Sequence, residues 1–227
     1  MITTVVFDAD ETLIDLRPAV RGALAAVLEE MRRLTPAAAA VSLADLEADG
    51  LALFDDLPAA PVAEVRRAAL ARSLARVGLT SELDRVAELF FARRFALTRP
   101  FADALPALAE LRRSYTLGFA TNGNSRAERC GLAGEFAFEL YAHVDGVPKK
   151  PAPGFYAAVL AAAGVAPSSV VYVGDSLAHD VIAAQAAGLH AVWLNRESAP
   201  CPAEAMPDGE ISSLADLPTA IEKLLPR

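Results

Sequence analysis

The chain opens on a short apolar run, Val5–Phe7, that ends in two aspartates, Asp8 and Asp10, with Thr12 two residues further on. A run this short and this apolar reads as a strand buried on both faces, as in a parallel sheet. Such a strand requires neighbouring strands and helices packed over the sheet. The two acids then fall where the strand should end. Carboxylates placed that close raise one another's pKa unless a cation stands between them. The turn therefore reads as a metal site in which one carboxylate is left to react.

The rest of the chain repeats the pattern. The first run extends over Ile2–Phe7, and further β-like runs occupy Tyr115–Ala120, Phe138–Ala142, Val170–Val173 and Ala191–Leu194. All but Phe138–Ala142 are strongly apolar. Helical patterns at Ser125–Cys130, Gly154–Ala163 and Ser176–Ala187 alternate with them. This order predicts a doubly wound α/β domain.

The gap between the first two strands is too long for one crossover. Its apolar residues recur with helical spacing. Leu16, Val20, Leu24, Val27, Leu28 and Met31 share one face. Val62, Val65, Ala69, Leu70 and Val77 share a second, opened by Pro61 in the first turn. Leu83, Val86, Leu89, Phe90 and Phe95 share a third, with Thr80 or Ser81 as N-cap. Leu43–Phe54 is a weaker fourth candidate. Residues 16–98 thus read as an all-helical insertion, with hinges near Leu16 and Arg99–Pro100, and residues 1–15 and 99–227 as the core. Arg17, Arg21, Arg66, Arg67, Arg93 and Arg94 are expected on solvated helix faces. Ser198–Asp208 reads as a loop.

Charge and cysteine usage narrow the setting. The 227 residues carry 21 basic and 29 acidic side chains, a net charge of −8. That balance disfavours nucleic acid and anionic membranes as partners. No run approaches the roughly 20 apolar residues of a membrane span, and the N-terminus enters a strand pattern with no targeting segment. Cys130 and Cys201 show neither zinc spacing nor a disulfide framework, which points to a reducing cytoplasm. A monomer or weak homodimer is expected.

Four short motifs follow strands or precede helices: Asp8-Ala-Asp10-Glu-Thr12, Thr121-Asn122-Gly123, Lys150-Pro151 and Gly174-Asp175 with Asp180 five residues later. Ligands of an open parallel sheet bind beyond the carboxyl ends of its strands, so these distant residues are expected in one place. Attack on a phosphate monoester needs an in-line nucleophile and neutralised oxygens. Asp8 fits the nucleophile and Asp10 the acid and base. Thr121, Asn122 and Lys150 fit phosphate contacts. Hard carboxylate oxygens suit Mg²⁺, with Asp8 and Asp175 as ligands and Asp180 acting through water or as an outer support. Only three of the 21 basic residues are lysines, and two of them are Lys149 and Lys150. A compact ammonium, not a forked guanidinium, is wanted there. His143, His179 and His190 lack a common ligand spacing, and Cys130 and Trp193 read as packing residues.

In order and with a helical insertion after the first, the four motifs resemble those of the haloacid dehalogenase (HAD) superfamily of phosphohydrolases. The resemblance covers essentially the whole chain, including Asp208–Leu217 as a last strand and helix. It implies a Rossmann-like core with a closing helical cap. It also implies Mg²⁺ held by the Asp8 carboxylate, the Asp10 backbone carbonyl and Asp175, with Lys150 matching the family lysine before proline. Glu11 stands where many members have glycine, and Ala152 replaces a common acid. The implied activity is hydrolysis of a small phosphorylated metabolite, such as a nucleotide or sugar phosphate. Dehalogenating relatives lack a carboxylate at the Asp10 position, and a phosphonate hydrolase would need a cap lysine that residues 16–98 lack. A phosphomutase and a silent binding or regulatory module are the alternatives.

Overall fold

The apolar runs become a six-stranded sheet. A computed structural model of the protein describes residues 1–224. Its strands, in chain order, are β1 (Thr4–Phe7), β2 (Ile14–Asp15), β3 (Arg99–Pro100), β4 (Thr116–Thr121), β5 (Phe138–Tyr141), β6 (Val170–Gly174), β7 (His190–Leu194) and β8 (Gly209–Ile211). The helices are α1 (Leu16–Leu34), α2 (Leu43–Asp56), α3 (Val62–Ala75), α4 (Leu83–Leu97), α5 (Ala104–Leu111), α6 (Pro153–Ala163), α7 (Ala183–Ala186) and α8 (Leu217–Leu224).

The chain divides into two compact units: Met1–Asp15 with the chain from Pro100 onward, and Leu16–Arg99. In the first, the strand order is β5-β4-β1-β6-β7-β8 and every pairing is parallel. This is a Rossmann-like α/β sheet. The chain builds outward from β1 through β4 and β5, then returns to place β6 on the other side of β1. Such a reversal leaves a crevice at the strand ends. Val5, Val6 and Phe7 are fully buried, and Val6 packs in one cluster with Ala120, Tyr172 and Trp193. β2 and β3 form a separate two-stranded sheet. At two residues each they are too short to leave a pattern in the sequence.

The second unit contains α1 to α4. Leu24, Val27 and Met31 of α1 meet Leu46 of α2, Leu70 and Leu74 of α3, and Val86 and Phe90 of α4 in one buried cluster. α2, the weakest expectation, has the best start. Ser42 and Asp45 form a reciprocal capping box, which contributes about 1 kcal/mol. Pro61 sits at the N-cap of α3 rather than within its first turn. Thr80 and Ser81 do not cap α4. They lie in a 3-10 turn, Thr80–Glu82, and Glu82 at the N-cap makes no side-chain cap bond. Arg94, expected on a solvated face, is buried at 3% exposure.

Two expected core helices are shorter than their patterns. Ser125–Cys130 yields only a 3-10 turn, Ala127–Cys130. Ser176–Ala187 becomes a π-helical turn, Leu177–Ile182, followed by α7. The Asp180 backbone N–H donates to the Ser176 carbonyl (2.7 Å), while the Asp180 carboxylate accepts from the Ser176 N–H (3.0 Å). The second of these bonds folds the acid back over the end of β6. Among the described residues, no helix is long and apolar enough to cross a membrane.

Candidate active site

The ends of β1, β4 and β6 converge on one buried ammonium. Strand pairing continues one residue past β1, where the Asp8 N–H donates to the Val173 carbonyl (2.9 Å). Lys150, only 4% exposed, donates to Asp8 Oδ1 (2.6 Å), Asp180 Oδ1 (2.6 Å) and the Tyr172 hydroxyl (3.1 Å). An ammonium has three hydrogens, and all three are used. Tyr172 in turn donates to the carbonyl of Ala120 (2.7 Å), one residue before Thr121. Asn122 braces the lysine from behind. Its Oδ1 accepts from the Lys150 N–H (2.6 Å) and its Nδ2 donates to the Lys150 carbonyl (3.0 Å). The side-chain amide of Asn122 is thus spent on holding Lys150.

Thr121 and Asp10 are set by the turn after β4. The Gly123 N–H donates to Thr121 Oγ1 (2.9 Å). That bond uses a lone pair and leaves the hydroxyl hydrogen for an incoming oxygen. Ser125 Oγ donates to Asp10 Oδ1 (2.6 Å). A Cβ on Gly123 would lie 2.3 Å from Asp10 Oδ2, so only glycine fits there. The same holds at Gly174, where a Cβ would lie 2.3 Å from the Asp180 carboxyl carbon. Glu11 occupies the left-handed region (φ 62°). A residue with a Cβ is strained in that region and glycine is not, which explains why glycine suits this turn.

Several supports escaped the sequence reading. Ser125 lay inside an expected helix, and Tyr172 looked like one more apolar strand residue. Trp193, expected only to pack, also donates from Nε1 to the Asp175 carbonyl (2.8 Å). Arg196 donates to the Thr12 carbonyl (3.0 Å) and grips Asp103 with two bonds (2.9 and 3.0 Å). Asp103 also accepts from Ser213 Oγ (2.7 Å) and the Leu214 N–H (3.0 Å). The turn after β1 is thereby tied to residues far along the chain, and no short spacing announces such a tie.

The charges do not balance. Asp8, Asp175 and Asp180 each offer an oxygen within 4.8 Å of the others, and Lys150 is the cation bound among them. Burial raises Asp8 well above the ordinary carboxylate value; Lys150 opposes the shift, while Asp180 and Asp175 add to it. Asp175 is pushed up to about 7, mainly by burial and then by the charge of Asp180. Burial works against the Lys150 ammonium, yet Asp180 and Asp8 outweigh it and raise its pKa well above the usual lysine value. An all-oxygen donor set short of positive charge fits a hard divalent cation. Asp8 and Asp175 are the ligands it offers, because both oxygens of Asp180 are engaged by Lys150 and Ser176. The Asp10 carboxylate turns to Ser125 and lies outside this cluster, so its contribution to a metal would be its main chain.

A pH signature follows. An acid whose folded pKa is raised lends stability at low pH and loses it as pH climbs through the folded value. For Asp175 the window runs from the ordinary carboxylate value of 3.8 to about 7. In EDTA, Asp175→Asn should raise the melting temperature, with a gain that grows from pH 5 to pH 8. The same variant should abolish the rise in melting temperature produced by Mg²⁺. Calorimetry across that range checks both, and a pH-independent loss of stability would contradict them.

A family model for haloacid dehalogenase-like hydrolases matches residues 2–188. The chain belongs to this family. Among curated haloacid dehalogenase-like relatives, it is 37% identical to the phosphoserine phosphatase of Thermus thermophilus over 139 residues, 58% of this chain and 55% of that protein. The match thus spans about half that relative's length. Identity to 5-amino-6-(5-phospho-D-ribitylamino)uracil phosphatase YigB of Escherichia coli is 27%, over 97% of this chain and 96% of the relative. Among solved structures, a 2-haloacid dehalogenase from Pseudomonas syringae pv. Tomato superposes with a TM-score of 0.81 at 34% identity, covering 99% of this chain and 100% of that one. The family's phosphatase and dehalogenase names both occur among these relatives.

Proposed function

We propose that this protein is a Mg²⁺-dependent phosphatase that cleaves phosphate monoesters of small metabolites, nucleotide or sugar phosphates, through an aspartyl-phosphate on Asp8. The observation that carries the reading is Asp10. A halide leaves carbon without needing a proton, so a dehalogenase has no use for a second acid beside its nucleophile. An alkoxide leaving group does need one. This chain keeps that acid, holds it with Ser125 and reserves space for it at Gly123.

In the first step an Asp8 oxygen attacks phosphorus, the bond to the ester oxygen breaks, and that oxygen takes a proton from Asp10. In the second, Asp10 takes a proton from water as the water oxygen attacks phosphorus, and the bond to Asp8 breaks to release inorganic phosphate. Thr121 donates to a phosphoryl oxygen. Lys150 keeps Asp8 in place. Asp8, Asp175 and the Asp10 carbonyl would hold magnesium, which would supply the positive charge that lets a phosphate approach a carboxylate. Leu16–Arg99 is the proposed cap, selecting among substrates.

The test is phosphate release from a panel of phosphorylated metabolites, with Mg²⁺ or EDTA, beside halide release from 2-chloropropionate. We expect Mg²⁺-dependent phosphate release and no halide. Halide without phosphate would overturn the reading, and isomerised sugar phosphate without release would indicate a mutase. Asp10→Asn should slow alkyl phosphates by about 10²- to 10⁴-fold. With p-nitrophenyl phosphate, whose leaving group needs no proton, it should give a burst of nitrophenolate equal to the enzyme present, followed by slow turnover. Stopped-flow absorbance distinguishes the two behaviours.

A further inference from the structure

Strand β6 carries one polar side chain where packing alone asks for none. Its neighbours Val170, Val171 and Val173 are fully buried, and so is Tyr172. Phenylalanine or leucine would fill such a core position with no hydroxyl to satisfy, and a buried hydroxyl without partners is costly. The register shows where this hydroxyl goes. In the sheet β1 stands between β6 and β4, and Tyr172 lies beside Val6. Val6, Ala120 and Tyr172 belong to one buried cluster. The Tyr172 hydroxyl reaches past β1 to the Ala120 carbonyl of β4 (2.7 Å).

The same hydroxyl accepts from Lys150 Nζ (3.1 Å). A tyrosine hydroxyl has one hydrogen. With that hydrogen spent on a main-chain carbonyl, only a lone pair faces the ammonium. The ring is held as well. Tyr156 meets it edge-on, with 5.6 Å between centroids, and the Lys150 ammonium lies 5.3 Å from its centre. Asp8 and Asp180 are the other two acceptors of the ammonium. Of the three, Tyr172 alone lies within a strand.

We propose that Tyr172 is a positioning residue: its hydroxyl locks the Lys150 ammonium to the end of β4 and so fixes Asp8 relative to Thr121. A chain of hydrogen bonds runs from Asp8 through Lys150 and Tyr172 to the Ala120 carbonyl, next to Thr121 in the chain. It joins the carboxylate that attacks to the residue that contacts the phosphoryl group. A misplacement of about 1 Å at a reacting group can cost about 100-fold in rate, so the lock bears on attack more than on substrate binding. The lock itself stands on geometry; its kinetic consequence rests on the phosphatase reading above.

The test has two parts, both on the intact protein. Melting in EDTA compares the parent, Tyr172→Phe, Lys150→Met and the double variant. Tyr172→Phe removes one oxygen and keeps the ring, and it should lower the melting temperature by about 2–4 °C. In Lys150→Met the hydroxyl has no ammonium to hold, so adding Tyr172→Phe should cost clearly less. Equal falls in the two backgrounds would overturn the lock. The second part is turnover of p-nitrophenyl phosphate with Mg²⁺. Tyr172→Phe should lower kcat about 10- to 100-fold and leave KM nearly unchanged. Tyr172→Leu lacks the same hydroxyl but packs worse, so it should melt lower and yet lose kcat to the same extent. A parental kcat in Tyr172→Phe, or a kcat that follows the melting temperature across the two variants, would reduce Tyr172 to packing and overturn the proposal. Absence of any phosphate release from the parent counts against the phosphatase reading instead, and the melting comparison then decides on Tyr172.

Discussion

Asp8→Asn should lower phosphate release by about 10⁴-fold or more, the scale seen when a covalent nucleophile is removed. Asparagine preserves the shape of the side chain and can still accept from Lys150, so binding geometry survives while attack does not. Asp8→Ala, in which deamidation cannot regenerate the acid, should be equally inactive. Folding should not suffer. Asp8 is buried, its ionised form is disfavoured there by desolvation and by two neighbouring acids, and Asp180 remains to pair with Lys150. The melting temperature in EDTA is therefore expected to stay level or rise. Turnover that persists in both variants would remove Asp8 from the chemistry. Lost turnover with a collapsed melting temperature would make Asp8 a structural partner of the lysine.

The motifs were legible because parallel strands buried on both faces are read from apolarity alone, and because the acids, threonine and lysine follow strand ends directly. What was not legible is side-chain support. Tyr172 reads as an apolar strand residue, yet its hydroxyl joins Lys150 to the end of β4. Nothing in the sequence shows that the Asn122 amide pairs with the backbone of Lys150, 28 positions further on. Asp103 and Arg196 meet across 93 residues, a distance at which no periodicity survives. The helical unit shows the same limit. Its apolar faces gave the four helices, while Arg94 counted as a surface charge because a sequence shows spacing and not depth. Ser176–Ala187 has a helical pattern, and the structure makes of it a π-turn followed by the short α7, with the Asp180 carboxylate returning to the Ser176 N–H.

Lys150→Met is expected to damage stability as well as activity. Methionine fills much of the same volume, and the rings of Phe155 and Tyr172, 5.5 and 5.3 Å from the ammonium, would accept it. The charge is what cannot be replaced. Asp8 and Asp180 would face one another, buried, with no cation between them, and breaking a buried pair on one side typically costs about 3–5 kcal/mol. In a chain of this size that corresponds to a fall in melting temperature of about 10 °C. The pH dependence identifies the cause. With the lysine gone, Asp8 loses the charge that opposes its upward shift and holds its proton more tightly, so the penalty is largest when it is forced to ionise and shrinks as pH falls. The deficit in EDTA should thus be greater at pH 8 than at pH 5, and Mg²⁺ should recover part of it by restoring positive charge. Lys150→Arg should not rescue the site, because a planar fork cannot direct three hydrogens to Asp8, Asp180 and Tyr172 in the space of one ammonium. Melting curves of both variants across that pH range, with and without Mg²⁺, decide the matter. A deficit equal at all pH values would assign Lys150 to packing, and the electrostatic account of this site would fail with it.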